Sequence, residues 1–471
     1  MKSVALVLSV LGLTLAFSVG SARAQTAAAP FYFGADLSFA NEMNDCGAVY
    51  RLHGQPEDVF HIFKDTGHNL VRIRIWNNAT WTHYSNLDDV KRSIRRAHDA
   101  GLHVLLDFHY SDDWADGDKQ IIPAAWADIA STDALAQALY QYTFDTLTAL
   151  DRDGLMPDMV QVGNEINREI LGRADWHDRP IDWARNAALI NAGIRAVRDA
   201  GEHASVHPQV MLHIAQPENV EPWFEAATAA GVTDFDLIGI SYYRKWSTMS
   251  LDGLGQVINR LRFRYPNVGV IAVETAYPWT TDYADSLPNI LGGDDTLLPG
   301  YPATREGQRR YMTDITQTVI SNGGVGVVSW APDWVSTQCA TRWGQGSSWE
   351  NATFFDFHHN NETLPGAFYP QQAYHWLVPV TLRFEGAPAN LEHLYLWADV
   401  FGARDFVASV PREADGAFVF HTNLAPGQRI QFQIYDRLPL GPPLLTPTDA
   451  ATHAVVATVG QSATTLSFPL H

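Results

Sequence analysis

A (β/α)8 TIM barrel followed by a small all-β sandwich domain is the fold class that this sequence predicts, on three observations. Up to about residue 378, short apolar runs alternate with amphipathic helical segments. Within those runs, the polar residues keep to one parity. From about residue 380, helical periods give way to short alternating runs separated by Gly, Pro, Asn and Asp turns.

Eight strands are predicted, at 31–37, 69–76, 103–109, 158–164, 209–215, 236–243, 269–274 and 325–330. Helical spacing appears between them: Val90, Ile94 and Ala97 fall at i, i+4, i+7, as do Ile190, Ile194 and Val197, and Met312, Ile315 and Val319 follow i, i+3, i+7. Eight β-α repeats close into a barrel of roughly 250 residues plus insertions. A doubly wound open sheet is the alternative. It normally carries a glycine-rich turn after its first strand, and Gly34-Ala35-Asp36-Leu37 offers none.

Alternation within the strands sharpens the barrel reading, since a barrel needs one apolar face under its helices and an inner face that turns polar near the C-terminal rim. In 158–164, Val160 and Val162 share one face, while Gln161, Gly163 and Glu165 share the other. Leu106 and Phe108 oppose Asp107 and His109; Val210, Leu212 and Ile214 oppose Met211, His213 and Ala215. Ile238 and Ile240 stand against Gly239, Ser241 and Tyr243, and Ile271 and Val273 against Ala272 and Glu274. Asp36, Arg72, Arg74, His109, Glu165, His213, Tyr243, Glu274 and Trp330 are thereby expected at the rim.

The start of the chain reads as a secretory signal over 1–24: Lys2, an apolar stretch from Val4 to Val19, and the cleavage signal Ala22-Arg23-Ala24. A secreted or periplasmic protein is expected. The barrel is assigned to 25–379 and the β domain, of unknown role, to 380–471; two domains suit the about 445 remaining residues. In the second, Thr381-Leu382-Arg383-Phe384, Tyr395-Leu396-Trp397, Phe418-Val419-Phe420 and Ile430 to Ile434 are the strand runs.

Thirty-two basic against 52 acidic residues, a net −20, argue against nucleic acid and anionic membranes, which need a basic face. Fifteen Trp favour a carbohydrate ligand, because sugar rings present apolar CH faces to indoles. Only Cys46 and Cys339 exist, and in an exported chain an even count points to a disulfide. They follow strands 1 and 8, neighbours in a closed barrel. The bond would therefore staple its closing seam, stabilising it by about 3–5 kcal/mol.

The chemistry is carried by two runs that each end on a carboxylate, Val160-Gln161-Val162-Gly163-Asn164-Glu165 and Val270-Ile271-Ala272-Val273-Glu274-Thr275. Cleaving a glycosidic bond takes an acid for the leaving oxygen and a second carboxylate for the cationic sugar. An isolated Glu after a strand is more often a cap or a solvated charge. Two on polar faces of apolar strands suit that chemistry better.

At these residues the chain resembles the endo-β-1,4-galactanases, glycoside hydrolase family 53. The motifs are Gly34-Ala35-Asp36-Leu37-Ser38, Asn69 to Trp76 (NLVRIRIW), Asp107-Phe108-His109-Tyr110-Ser111-Asp112, Gln161 to Glu165, Glu274-Thr275-Ala276-Tyr277-Pro278 and Trp343 to Asn351 (WGQGSSWEN). They cover roughly residues 31–375 and leave the C-terminal segment out. The resemblance implies an exported retaining endo-hydrolase of β-1,4-galactan in the (arabino)galactan side chains of pectin, with Glu165 as acid/base and Glu274 as nucleophile. Asn164 would reach the substrate's 2-hydroxyl, and Trp330 would floor the −1 sugar site. Arg72 or Arg74 would pair with Glu274, or bridge to Asp36 or Asp107. Tyr243 would hold Glu274 or pack in the core. His109 and His213 read as rim hydrogen-bonders or as structural histidines. Trp114, Trp334 and Trp349 are loop aromatics that stack on sugars or pack.

Two Glu residues define the chemistry but not the sugar, so a mannanase or xylanase is the alternative within the class, and a non-catalytic carbohydrate-binding barrel the alternative outside it. A monomer is expected, and no metal or other cofactor is required. The resemblance allows calcium near strands 7 and 8, for which the Gly292-Gly293-Asp294-Asp295 turn is a weak candidate, and 331–349 lacks an Asp-x-Asp-x-Asn ladder.

Overall fold

The computed structural model describes residues 31–173, 178–397, 407–436 and 455–470, so the leader over 1–24 lies outside the described residues. Eight parallel strands close into a barrel: β1 (Tyr32–Asp36), β2 (Leu70–Ile75), β3 (His103–Phe108), β4 (Met159–Val162), β5 (Gln209–Ala215), β6 (Leu237–Ser241), β7 (Gly269–Thr275) and β8 (Gly326–Ser329). β8 returns to β1 with Tyr32 opposite Gly326, which closes the ring. Every strand lies within two residues of its expected bounds.

The strands alternate with helices α1 (Ala40–Asp45), α2 (Val59–Asp65), α3 (Leu87–Asp99), α4 (Thr132–Arg152), α5 (Trp183–Gly201), α6 (Pro217–Ala229), α7 (Leu251–Arg264) and α8 (Arg305–Ser321). Side chains of Asp58, Asn86, Ser131, Asp182, Ser250 and Thr304 cap α2, α3, α4, α5, α7 and α8, each accepting from a free first-turn N–H. The predicted helical faces are the buried ones: Val90, Ile94 and Ala97 on α3, Ile190, Ile194 and Val197 on α5, and Met312, Ile315 and Val319 on α8. They pack on the outward strand residues Val71, Ile73, Val104, Leu106, Val160, Val162, Leu212, Ile238 and Ile240.

Inside the barrel, an apolar floor of Leu70, Leu105, Met159, Met211, Leu237, Ile271, Val273 and Val328 forms its own cluster. This corrects the phase expected for β7, because Ile271 and Val273 face inward and Ala272 joins the outer core. A bulge is the cause: Gly239 pairs with Ile271 but Ser241 with Glu274, so β7 holds one residue more than β6 over that stretch. The extra residue turns Glu274 inward as well.

Beyond the barrel, β9 (Val378–Glu385), β10 (His393–Trp397), β11 (Val407–Pro411), β12 (Phe418–Leu424), β13 (Arg429–Tyr435), β14 (Val455–Thr458) and β15 (Thr464–Pro469) form two sheets, ordered β12-β9-β15 and β11-β10-β13-β14. They share a core of Val380, Leu382, Phe384, Leu394, Leu396, Phe418, Ile430, Phe432 and Ile434, to which α7 contributes Phe263. Arg262 beside it donates to the Asn423 carbonyl at 3.1 Å. Among the described residues, no helix is long and apolar enough to cross a membrane.

The loops after β1 and β8 are joined by the Cys46–Cys339 disulfide, which spans 293 positions of sequence. Strand adjacency across the closing seam brings the two cysteines together.

Candidate active site

Above the apolar floor, the barrel interior turns polar, and a cleft of about 840 Å³ opens at the C-terminal rim. Asp36, Arg72, Arg74, His109, Trp114, Asn164, Glu165, Tyr243, Glu274, Trp330 and Trp349 all line it, so eleven expected site residues share one cavity.

Arg72 organises the centre. Its guanidinium reaches Asp36 (2.8 Å), Asp107 (2.8 Å) and Glu274 (2.7 Å), and donates to the amide oxygens of Asn164 (2.6 Å) and Gln161 (3.2 Å). Burial opposes its charge, but Asp107, Glu274 and Asp36 more than offset that and raise its pKa, so it remains a cation. The open choice between pairing with Glu274 and bridging to Asp36 or Asp107 resolves as both at once. Arg74 is not the partner of Glu274. Among the described residues it makes no ion pair, and its guanidinium sits over Trp114, Phe39 and Trp76 at 4.2, 4.5 and 4.6 Å and donates to Ser85.

Glu274 also accepts from the Tyr243 hydroxyl at 3.1 Å. Glu165 follows β4 through Gly163 (φ +86°) and is itself at φ +47°, a left-handed conformation that costs a non-glycine residue energy. The turn lifts its carboxyl into the cleft, where Oε1 accepts from Ser241 at 2.5 Å and Oε2 from the Gly117 amide at 3.3 Å. Carboxylate oxygens of Glu165 and Glu274 lie within 4.8 Å of each other.

Burial raises both carboxyls. Glu165 is pushed up to about 6, with the charge of Asp116 adding and Ser241 opposing. Glu274 is pushed up to about 8, with Arg72 opposing and Glu165, Asp36 and Asp107 adding. Two carboxyls this close share a single proton between them around neutral pH. Their contacts decide where a single proton resides. Glu274 faces a cation and a phenol donor, both of which favour its ionised form, whereas Glu165 has no cation in contact among the described residues and sits near Asp116. The proton belongs on Glu165.

Asn164 donates to the Ala115 carbonyl at 2.8 Å. His109 accepts at Nδ1 from the Ala115 amide at 3.1 Å, which directs its Nε2 proton to Asp107, 3.0 Å away. His213 is a correction: it is fully buried and does not line the cleft. Its short inward position on β5 leaves it under Asn164 and Glu165, where Nε2 meets Ser241 at 2.8 Å. Burial, with Arg72 nearby, holds its pKa well below the usual histidine range.

The aromatics divide. Trp330 and Trp114 wall the cleft with ring centroids 6.0 Å apart. Trp349 also lines it but is nearly buried, set edge-on behind Trp330 at 4.7 Å and donating to the Trp330 carbonyl. Trp334 leaves the sugar-stacking set, because it is stacked on Phe39 at 4.2 Å inside the core.

Glu165, His213 and Glu274 form the tightest donor group among the described residues. They do not suit a metal: both nitrogens of His213 are engaged by Ser241, Gln161 and Asn164, and Arg72 already supplies the positive charge at Glu274. The 292–295 turn is closed internally, with the Thr296 hydroxyl donating to the Gly293 carbonyl at 2.6 Å.

Several residues in and beneath the cleft escaped the sequence reading. Gln161 and Ser241 sat on the inward parity of their strands, a signal that was there to be used. Trp246, 46% exposed beside Tyr243, and Trp183 line the outer cleft, and nothing in the sequence separates them from packing aromatics.

Residues 32–367 match the model of glycosyl hydrolase family 53, which ends before β9. The chain is 52% identical over 338 residues to a Cellvibrio japonicus protein named arabinogalactan endo-beta-1,4-galactanase, covering 71% of this chain and 89% of that one. It is 32% identical over 377 residues to the endo-beta-1,4-galactanase of Bacillus subtilis, covering 71% and 84%. Among solved structures, the GH53 catalytic domain of Ignisphaera aggregans superposes with a TM-score of 0.67 at 30% identity, over 74% of this chain and 98% of that one. With the barrel, the carboxylate pair and these likenesses together, the chain belongs to glycosyl hydrolase family 53 and is a glycoside hydrolase.

Proposed function

We propose that this protein is an exported endo-β-1,4-galactanase that cleaves the galactan side chains of pectin with retention of anomeric configuration. The observation that carries the mechanism is the approach of Glu165 and Glu274 to within 4.8 Å across an open cleft. Retaining glycosidases hold their carboxyls about 5–5.5 Å apart, whereas inverting enzymes leave about 6.5–9.5 Å for a water. The substrate reading rests on the relatives named as galactanases.

Glu274, ionised beside Arg72, attacks the anomeric carbon while Glu165 gives its proton to the departing glycosidic oxygen. The C–O bond to the leaving chain breaks, and a sugar ester of Glu274 forms. Water then attacks the same carbon, Glu165 takes its proton, and the ester bond breaks to return Glu274 as a carboxylate. Asn164 at the cleft wall contacts the 2-hydroxyl, and Trp330 and Trp114 stack on sugar faces.

Export rests on the leader read in 1–24 and suits a chain whose only two cysteines are bonded. The segment from residue 380 is proposed as a separate, non-catalytic domain. No metal is required, and chelation should leave activity unchanged. Reducing-sugar release from β-1,4-galactan, mannan and xylan, run with wild type and Glu274→Ala, tests the reading. Release from galactan alone, abolished in Glu274→Ala, is expected. Release chiefly from mannan or xylan would overturn the substrate, and an unaffected Glu274→Ala would overturn the mechanism.

A further inference from the structure

The Ser241 hydroxyl is buried, lies outside the lining of the cleft, and sits between two site groups. It donates to Glu165 Oε1 at 2.5 Å, and on its other side His213 Nε2 lies 2.8 Å away. His213 Nδ1 faces the amide of Glu165 (3.4 Å), the side-chain amide of Gln161 (3.1 Å) and the amide oxygen of Asn164 (3.0 Å), so two donors and one acceptor meet it. Because Ser241 gives its hydroxyl hydrogen to Glu165, the neutral ring carries its proton on Nε2 and gives it to Ser241 Oγ. Ser241 has a single hydroxyl hydrogen, and His213 leaves it free to point at Glu165. Gln161 is held in turn by Asp107 at 2.6 Å.

We propose that Ser241, oriented by His213, is a positioning residue for Glu165: it fixes Oε1 in the cleft and favours the ionised carboxylate required when water is activated. The inference deepens the proposed function and rests on Glu165 being the acid/base. An acid/base must exist in both states within one turnover, protonated for cleavage and ionised for release of the ester. Burial and Asp116, from the loop after β3, oppose the ionised state, as does Glu274 on β7. Arg72 on β2 favours it from beyond Asn164, and Tyr243 on β6 is committed to Glu274. His213 on β5 is neutral. Ser241 and the Gly117 amide are the donors that contact the carboxylate directly. A buried neutral hydroxyl thus supplies hydrogen bonding where a cation would strip the acid of its proton.

The test is the pH dependence of Ser241→Ala, Ser241→Thr and Ser241→Cys on galactan and on an aryl β-galactoside oligomer with a good leaving group. Loss of a donor to the carboxylate raises its pKa. In Ser241→Ala the alkaline limb of kcat/KM on galactan should move up by roughly 0.5–1 pH unit. On the aryl substrate, where the base step limits, the acid limb of kcat should move the same way and kcat should fall about 3–10-fold. KM should change less than about 2-fold, since Ser241 does not line the cleft. Ser241→Thr, which keeps the hydroxyl, should restore both limbs, and Ser241→Cys, a weaker donor of similar size, should fall between and serves if the alanine variant does not fold. Unmoved limbs in Ser241→Ala and Ser241→Cys would overturn the inference, as would Ser241→Thr shifted as far as alanine. Glu165→Gln separates the two claims. If it keeps the alkaline limb, the acid/base reading itself fails; if it abolishes the limb while Ser241→Ala leaves it in place, only the role of Ser241 fails.

Discussion

Val273 and Glu274 are consecutive in the chain, and both side chains face the inside of the barrel. Val273 belongs to the apolar floor, with Cγ1 2.9 Å from where a Cβ on Gly239 would stand. Glu274 lies above it against Arg72. A regular strand sends neighbours to opposite faces, so the bulge between β6 and β7 makes this arrangement. It lets β7 contribute to core packing and to the reacting centre within two residues, and Gly239 gives Val273 its room.

Arg72→Lys should fold but lose about 100-fold or more in kcat on galactan, because a point charge cannot span Asp36, Asp107 and Glu274 as the fork does. Stability should fall by about 2–4 kcal/mol in urea unfolding, since buried carboxylates lose their partners. Wild-type kcat in this variant would show that Arg72 is only a barrel brace.

Glu165→Ala should retain more activity on aryl galactosides than on galactan, because good leaving groups need little protonation. External azide should restore turnover by attacking the sugar ester on Glu274, giving the β-galactosyl azide. An α-azide by NMR, or release of the α-anomer as first product from wild type, would reject retention.

Glu350 is buried, with Oε1 accepting from the Ala284 amide and Oε2 without a partner among the described residues. Burial, with the charge of Asp285 adding, raises it to about 7. Its protonated form is favoured in the fold, so its contribution is complete below about pH 4.3 and is lost as pH rises through about 7. Glu350→Gln should therefore gain on the order of 2 kcal/mol at pH 8 and almost nothing at pH 4. Thermal melts at both values decide it, and an equal effect at the two would reject the titration.

Replacing Cys46 and Cys339 together by Ser should cost about 3–5 kcal/mol, the loop-closure entropy returned to the unfolded chain. Denaturant midpoints of wild type with and without reductant should show the same loss. A change below about 1 kcal/mol would mean that strand pairing alone holds the β1–β8 seam.

A chain ending at residue 377 should fold and cleave soluble galactan, since every residue lining the cleft precedes β9. It should be less stable by about 1–2 kcal/mol, because Phe263 of α7 loses its place beside Phe420. A folded but inactive product would give the C-terminal sheets a catalytic role.

Much of this protein follows from periodicity, which is local and survives in a single sequence. Period 2 placed Arg72, His109, Gln161, Glu165 and Ser241 on inward faces, and period 3.6 identified the buried sides of α3, α5 and α8. Closure of eight repeats brought Cys46 to Cys339 because strands 1 and 8 must meet. Parity failed at β7, since a bulge is a mismatch between two strands and leaves no mark in either one alone. Depth was also beyond reach: His213 shares the inward parity of the cleft residues but is covered by Asn164 and Glu165. Tertiary structure alone decided which carboxylates Arg72 serves, that Trp334 packs while Trp330 lines, and that Glu165 and Glu274 stand within 4.8 Å. Those are distances between elements far apart in the chain, set by barrel radius, stagger and loop packing rather than by any local pattern.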